Sequence, residues 1–303
     1  MRLLTTTNGN GSNNITEKTM NKIYIHLQLF IGIMLMVSCA NGAVDDITSD
    51  DTTDNTSQLT SLVAIQEVGS LSTRASLNST SGTNVWKQDD ELLVYDSSAS
   101  NTFTLSAGQD TEIGTFTGKA TLSTDITYTA LYPESAGTIT AEGKANVTLQ
   151  SLQTATAGSY DPNAMLMIGK GSITGNVMIP NISMKNAVAL VQVTPLFDCQ
   201  SITLTSSDSK IAGTGTIDYT SSEPKLTITD ASGSNTITLQ GQITSGSTYY
   251  IVVPAVTLSE GWSISFTNSS NVVKTRKTNR SITFNRNTIT NLGKFSADAL
   301  YWQ

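Results

Sequence analysis

The chain has 303 residues, room for two domains of ordinary size, and only 14% of them are charged while 38% are hydrophobic. The formal net charge is −7 and no strong basic cluster offsets it, which argues against nucleic acid or an anionic membrane face as a partner. Short Val/Ile/Leu/Thr/Tyr runs alternate with Gly/Ser/Asn/Asp clusters, the pattern of an all-β protein with many short strands rather than of a disordered chain.

Residues 1–19 are polar, and from Met20 the chain reads MNKIYIHLQLFIGIMLMVSCA. A basic start at Lys22, an apolar run over 23–37 and small residues before Cys39 make a secretory signal. The run is short for a spanning helix, which needs about 20 apolar residues. Met36-Val37-Ser38-Cys39 resembles a bacterial lipobox, in which the Cys takes a diacylglyceryl group and becomes the mature N-terminus. Ordinary cleavage after Ser38 or Ala40, or an uncleaved anchor, is the alternative. Residues 1–38 are thus extension and signal, and 39–58 an acidic, aperiodic, flexible tether. If Cys39 is lipidated, Cys199 has no disulfide partner and reads as a buried structural thiol.

The body opens with LTSLVAIQEV, residues 59–68, which predicts a strand with Leu62, Ala64 and Gln66 on one face and Val63, Ile65 and Glu67 on the other. A Ser/Thr/Asn/Gly-rich linker, 69–84, follows and holds one basic residue, Arg74, before Ala75. An Arg-specific protease could cut there and leave a sheet short of its first strand. Residues 85–95 read as a second strand with a polar turn at 88–91. Further strands are predicted at 102–105, 113–116, 126–132, 147–149, 177–179 and 182–184, while Met165 to Ile168 suits either a loop plug or a strand. VALVQV, 188–193, is the most apolar candidate and belongs in the centre of a sheet, buried on both sides.

The second half carries strands at 201–205, 215–219, 225–229, 236–239, 248–253, 262–267, 272–275, 282–284 and 289–292. Two Greek-key sandwiches in tandem, 59–194 and 195–303, are the natural reading. In the tail, KFSADALYWQ, one strand face would hold Phe295, Ala297, Ala299 and Tyr301. Such a strand can fill a groove in its own domain or in a neighbour. Lys274, Arg276, Lys277 and Arg280 read as edge charges that block unwanted strand pairing.

Chemistry is scarce. The single His, His26, lies in the signal, so the mature chain builds no Ser-His-Asp, Cys-His or His-zinc site. No phosphate-binding Gly loop occurs. Asp89, Asp90 and Glu91, or Asp125 with Glu134, are carboxylates a glycosidase could use, but the first three read better as turn caps. No catalytic, metal or cofactor residue is assigned, and an enzyme is not expected.

Several passages together resemble the fimbrillin family, the type V pilins: TRASLNSTSGTNVWKQDDELLVY (73–95), ALYPES (130–135), MKNAVALVQVT (184–194), STYYIVVPAVTLSEGWSISFTN (247–268) and RNTITNLGKFSA (286–297). The resemblance implies two transthyretin-like β-sandwich domains, export as an outer-membrane lipoprotein through Cys39, and assembly into a surface fimbria that contributes to adhesion. It implies cleavage between Arg74 and Ala75 by an Arg-specific protease, loss of the first strand, and its replacement by a neighbouring subunit's C-terminal strand, here Phe295, Ala297, Ala299 and Tyr301. Partners would be other fimbrial subunits, alike or different, and a host or bacterial surface ligand. The competing reading is a monomeric surface lipoprotein that binds glycans, with Trp86, Trp262, Trp302 and the nine Tyr as stacking platforms.

Overall fold

A computed structural model describes residues 58–67, 85–175, 178–229, 231, 233–299 and 301–302. The signal, the tether, Cys39, Arg74 and Ala75 lie outside the described residues. The structure is all-β, as the strand pattern predicts, with three-residue 3-10 turns as its only helical segments among the described residues.

The first ten strands are β1 (Gln58–Gln66), β2 (Glu91–Tyr95), β3 (Ser100–Ala107), β4 (Ile113–Ala120), β5 (Tyr128–Tyr132), β6 (Gly137–Ala141), β7 (Lys144–Leu149), β8 (Leu152–Thr154), β9 (Met167–Ile173) and β10 (Pro180–Asn186). Seven of them close on themselves in the order β1-β10-β9-β5-β2-β3-β4. β1 completes the ring: it runs antiparallel to β4 and parallel to β10. Alternation of side chains along each strand then fills the interior. Leu62, Phe103, Phe116, Tyr128, Ala130 and Met184 lie on this inner face, fully buried, and Trp86 and Met165 belong to the same hydrophobic cluster. Met165 and Leu166 are buried ahead of β9, which begins only at Met167.

The remaining strands are β11 (Val188–Pro195), β12 (Cys199–Ser206), β13 (Gly213–Asp218), β14 (Lys225–Ile228), β15 (Thr236–Ile243), β16 (Tyr249–Pro254), β17 (Val256–Leu258), β18 (Trp262–Thr267), β19 (Val273–Thr278), β20 (Ile282–Phe284), β21 (Ile289–Phe295) and β22 (Tyr301–Trp302). β11 sits between β16 and β21. A six-stranded sheet runs β22-β19-β18-β12-β15-β8 and a four-stranded one β14-β13-β7-β6, so strands from 144–154 pair with strands from 213–243.

β11 is the wall between two hydrophobic cores. Val188 and Leu190 belong to the first core; Ala189, Val191 and Val193 belong to a second core with Ile202, Leu204, Tyr249, Ile264, Phe266 and Phe295. β16 alternates in the same way, with Val252 in the first core and Ile251 and Val253 in the second. A strand with period-two alternation and two apolar faces has no other stable place. That is why VALVQV carries almost no polar residue.

Candidate functional site: the place of the first strand

β1 is hydrogen-bonded along both edges. Against β4 its register runs from Gln58 opposite Ala120 to Ile65 opposite Ile113, and against β10 from Val63 beside Asn181 to Gln66 beside Met184. Its inward face is Leu62, Ala64 and Gln66, all buried, while Ile65 and Leu59 are exposed. Only two apolar side chains of β1 are therefore fully buried. Leu62 contributes about 1.5–3 kcal/mol and Ala64 less.

Gln66 works against them. Neither atom of its side-chain amide has a hydrogen-bond partner among the described residues. A buried, unsatisfied amide costs about 1–3 kcal/mol. β1 is thus held mainly by its two rows of backbone bonds.

The floor beneath β1 is Trp86, the second described residue after the linker. Its indole Nε1–H donates to the Ala64 carbonyl at 3.2 Å. Its ring meets Phe116 edge-on at 4.9 Å and Tyr132 at 5.6 Å between centroids. Gly114 faces Ala64 across the β1–β4 pair, and a Cβ there would lie 2.6 Å from the Trp86 ring and 2.7 Å from Phe116. The indole therefore fits only because residue 114 is small.

At the exit of β1 stands an ionic cluster. Arg286, in the loop between β20 and β21, donates from Nη1 and Nη2 to the two carboxylate oxygens of Glu67, at 2.7 and 2.9 Å. It also donates to the Asn186 carbonyl at 2.7 Å and to Glu223. Lys185 Nζ donates to Glu223 at 2.8 Å, a bond that helps hold the Glu223 carboxyl below its usual range. The Asn186 N–H adds a 3.3 Å bond to Glu67. A second device fixes the β4 edge. The buried Asp96 carboxylate accepts from the N–H groups of Ser98, Ala99 and Thr121 and from the Ser98 hydroxyl. Burial pushes against its ionised form, but these bonds prevail and its pKa falls below the ordinary carboxylate value.

The tail corrects one expectation. Phe295, Ala297, Ala299 and Tyr301 do not share a strand face. β21 ends at Phe295, Ala297–Ala299 form a 3-10 turn, and Tyr301–Trp302 make a short strand on β19. The cause is local competition for backbone groups. The Pro195–Phe295 pairing and the bond from Leu196 N–H to the Phe295 carbonyl end β21, and Lys274 Nζ takes the Ala297 carbonyl at 3.0 Å. Phe295 is buried against Phe266, with Arg276 over its ring at 5.9 Å.

Asp90 accepts from the Lys87 N–H at 2.6 Å and the Tyr132 hydroxyl at 2.9 Å, so it caps the turn. Glu91 and Glu134 accept from Thr104 and Thr102. Trp86 is fully buried and offers no stacking face. Burial pushes the Cys199 thiol up to about 12, which makes it inert at neutral pH. Beside it lies an open cleft of about 630 Å³ lined by Asp198, Gln200, Gln240, Gln242 and Ser269. Among the described residues no cluster of His, Cys, Asp and Glu suits a metal ion.

The class these features define is an all-β protein of several packed sheets around two cores with a common wall. No family model matches the sequence. No curated protein sequence matches it either. Solved structures do. A "putative cell adhesion protein" from Bacteroides uniformis superposes with a TM-score of 0.50 at 14% identity, covering 84% of this chain and 97% of that one. A protein of the same description from Bacteroides ovatus gives 0.49 at 14% identity over 81% and 96%. A fimbrial protein from Bacteroides ovatus gives 0.36 at 10% identity over 78% and 49%. At such identities the likeness to the Bacteroides uniformis protein speaks for a common fold.

Proposed function

We propose that this protein is a structural subunit of a cell-surface fimbria that contributes to adhesion and assembles by strand replacement. Cleavage between Arg74 and Ala75 by an Arg-specific protease frees the segment that carries β1 and the lipid-bearing Cys39 from the body. A strand from a neighbouring subunit then takes the place between β4 and β10. The candidate donor is the tail of another subunit, with Phe295, Ala297, Ala299 and Tyr301 re-formed as one strand. Uncut chains stay tethered to the outer membrane. The sandwiches at 59–194 and 195–303 are the two domains in this reading.

The observation that carries it is the state of β1: paired on both edges, closing a ring, yet burying only Leu62 and Ala64 as apolar anchors beside an unsatisfied Gln66. An element of that kind is replaceable by another chain's strand, because most of its hold is backbone pairing that a second strand also supplies. The cell-adhesion description of the Bacteroides uniformis protein supports the same role.

A monomeric surface lipoprotein that binds a glycan is the second reading, favoured by the open cleft that carries Asp198, Gln200, Gln240 and Gln242. That cleft has no aromatic side chain in its lining to stack on a sugar. Limited digestion with an Arg-specific protease, followed by gel electrophoresis without boiling, separates the two. A ladder of multimers with Ala75 as the new N-terminus supports the fimbrial subunit. A lasting monomer that binds a glycan array overturns it.

A further inference from the structure

This inference rests on the strand-replacement reading of the β1 site and concerns what the incoming strand must carry. The cluster at the exit of β1 contains two cations, Arg286 and Lys185, and two anions, Glu67 and Glu223. Glu67 and Arg286 are the sheltered pair, with side chains 16% and 18% exposed, whereas Glu223 is 52% exposed. When β1 leaves, Glu67 goes with it. One solvent-facing carboxylate then serves both cations, and the two-pronged acceptor of Arg286 is gone. A guanidinium cannot shed its proton to relieve this. Only a carboxylate in the vacated place restores the bidentate pair.

We propose that Arg286 reads the occupant of the groove: the site selects a strand with a carboxylate where Glu67 stands, three positions after a small residue at the place of Ala64. The small residue is required because Ala64 is fully buried in a packed core, where a larger side chain would overpack. The chain's own tail does not meet this rule. Laid along β1 in the same direction, Ala297 in the place of Ala64 brings Leu300 to Arg286, and Ala299 brings Trp302. Asp298 falls immediately beside either alanine instead. The chain's own tail is therefore the weaker occupant of this groove, and an acid-bearing strand of a different subunit the stronger one.

The test uses the full chain cut after Arg74 and fluorescent, C-terminally amidated peptides. One peptide has the sequence of residues 58–67, the second is its Glu67→Gln form, and the third copies residues 293–302. The first peptide should bind the cut chain and not the uncut one. The Glu67→Gln form and the tail peptide should each bind roughly tenfold more weakly or worse, the scale of a lost charged hydrogen bond. In an Arg286→Glu chain, a Glu67→Lys peptide should become the better binder, while Arg286→Lys should keep a reduced preference for the acid. Equal binding of the Glu67 and Glu67→Gln peptides, equal binding of the tail peptide, or a preference that Arg286→Glu leaves unmoved overturns the carboxylate rule and leaves strand replacement standing. Failure of every peptide to bind the cut chain overturns strand replacement itself, and the rule with it.

Discussion

The first strand and the last long strand make an instructive pair. Each runs parallel to one of two consecutive strands: β1 beside β10, β21 beside β11. Yet they are held by different physics. β1 is bonded on both edges and buries little. Among the described residues β21 has the single neighbour β11, and it ends in Phe295, an apolar anchor packed on Phe266. The Glu67–Arg286 pair links the exit of one to the approach of the other across 219 residues of sequence. A strand kept by its edges is all-or-none, since the ring closes or it does not. One kept by an anchor can lose its far end and stay docked at the near one.

Removing β1 should break that contrast most severely. A chain that starts at Ala75 loses the ring-closing strand and exposes unpaired donors and acceptors on both β4 and β10. It is expected to lose its cooperative thermal transition and to aggregate on gel filtration. Addition of a peptide of residues 58–67 should restore both. Survival of a sharp transition without the peptide would mean that the ring closes by other means.

Trp86→Ala comes next. The indole is fully buried, packs on Phe116 and Tyr132 and bonds the Ala64 carbonyl. Its loss should cost about 3–5 kcal/mol in a urea titration. A chain already cut after Arg74 should also release β1 faster, because the floor and one bond to the strand go together.

Asp96→Asn tests the β4 edge. One carboxylate there collects four hydrogen bonds, among them that of Thr121 just past β4. The variant should lose about 2–3 kcal/mol. The folded pKa lies below the unfolded one, so the contribution is full above the ordinary carboxylate range and is lost as pH falls through the folded value. Urea titrations of the parent at pH 7 and pH 3 should converge toward the variant at the lower pH. A constant gap between the two proteins would show that Asp96 acts by shape alone.

Much of this was legible in the residues. The inward face of β1 follows from alternation, and burial of Leu62, Ala64 and Gln66 agrees with it. VALVQV could be placed between two apolar layers because only Gln192 in it wants water. The Asp89–Asp90 turn also has a local signature, and Asp89 takes a positive φ of 66° there. What was not legible is long-range. Nothing near Glu67 or Arg286 announces their pairing, which depends on where two remote strands end. β6, β8 and β17 are only five, three and three residues long, so they carry little alternation to read; β6 and β8 form at sheet edges. The tail read as one strand because its alternation is good, but alternation does not register a carbonyl claimed by Lys274.

The smallest expected effect on stability falls on that tail. Truncation after Phe295 keeps β21 and its anchor and removes only the 3-10 turn and β22, which pairs Tyr301 and Trp302 with Thr275 and Lys274. A few hydrogen bonds at a sheet edge are worth about 1 kcal/mol net in total. The urea midpoint should therefore barely move, whereas the ladder of multimers formed after Arg74 cleavage should vanish if the tail supplies the donor strand. The two readouts must separate for the comparison to hold. A truncated chain that still polymerises would place the donor elsewhere, and one that unfolds would show the far end of the tail to be as structural as β1.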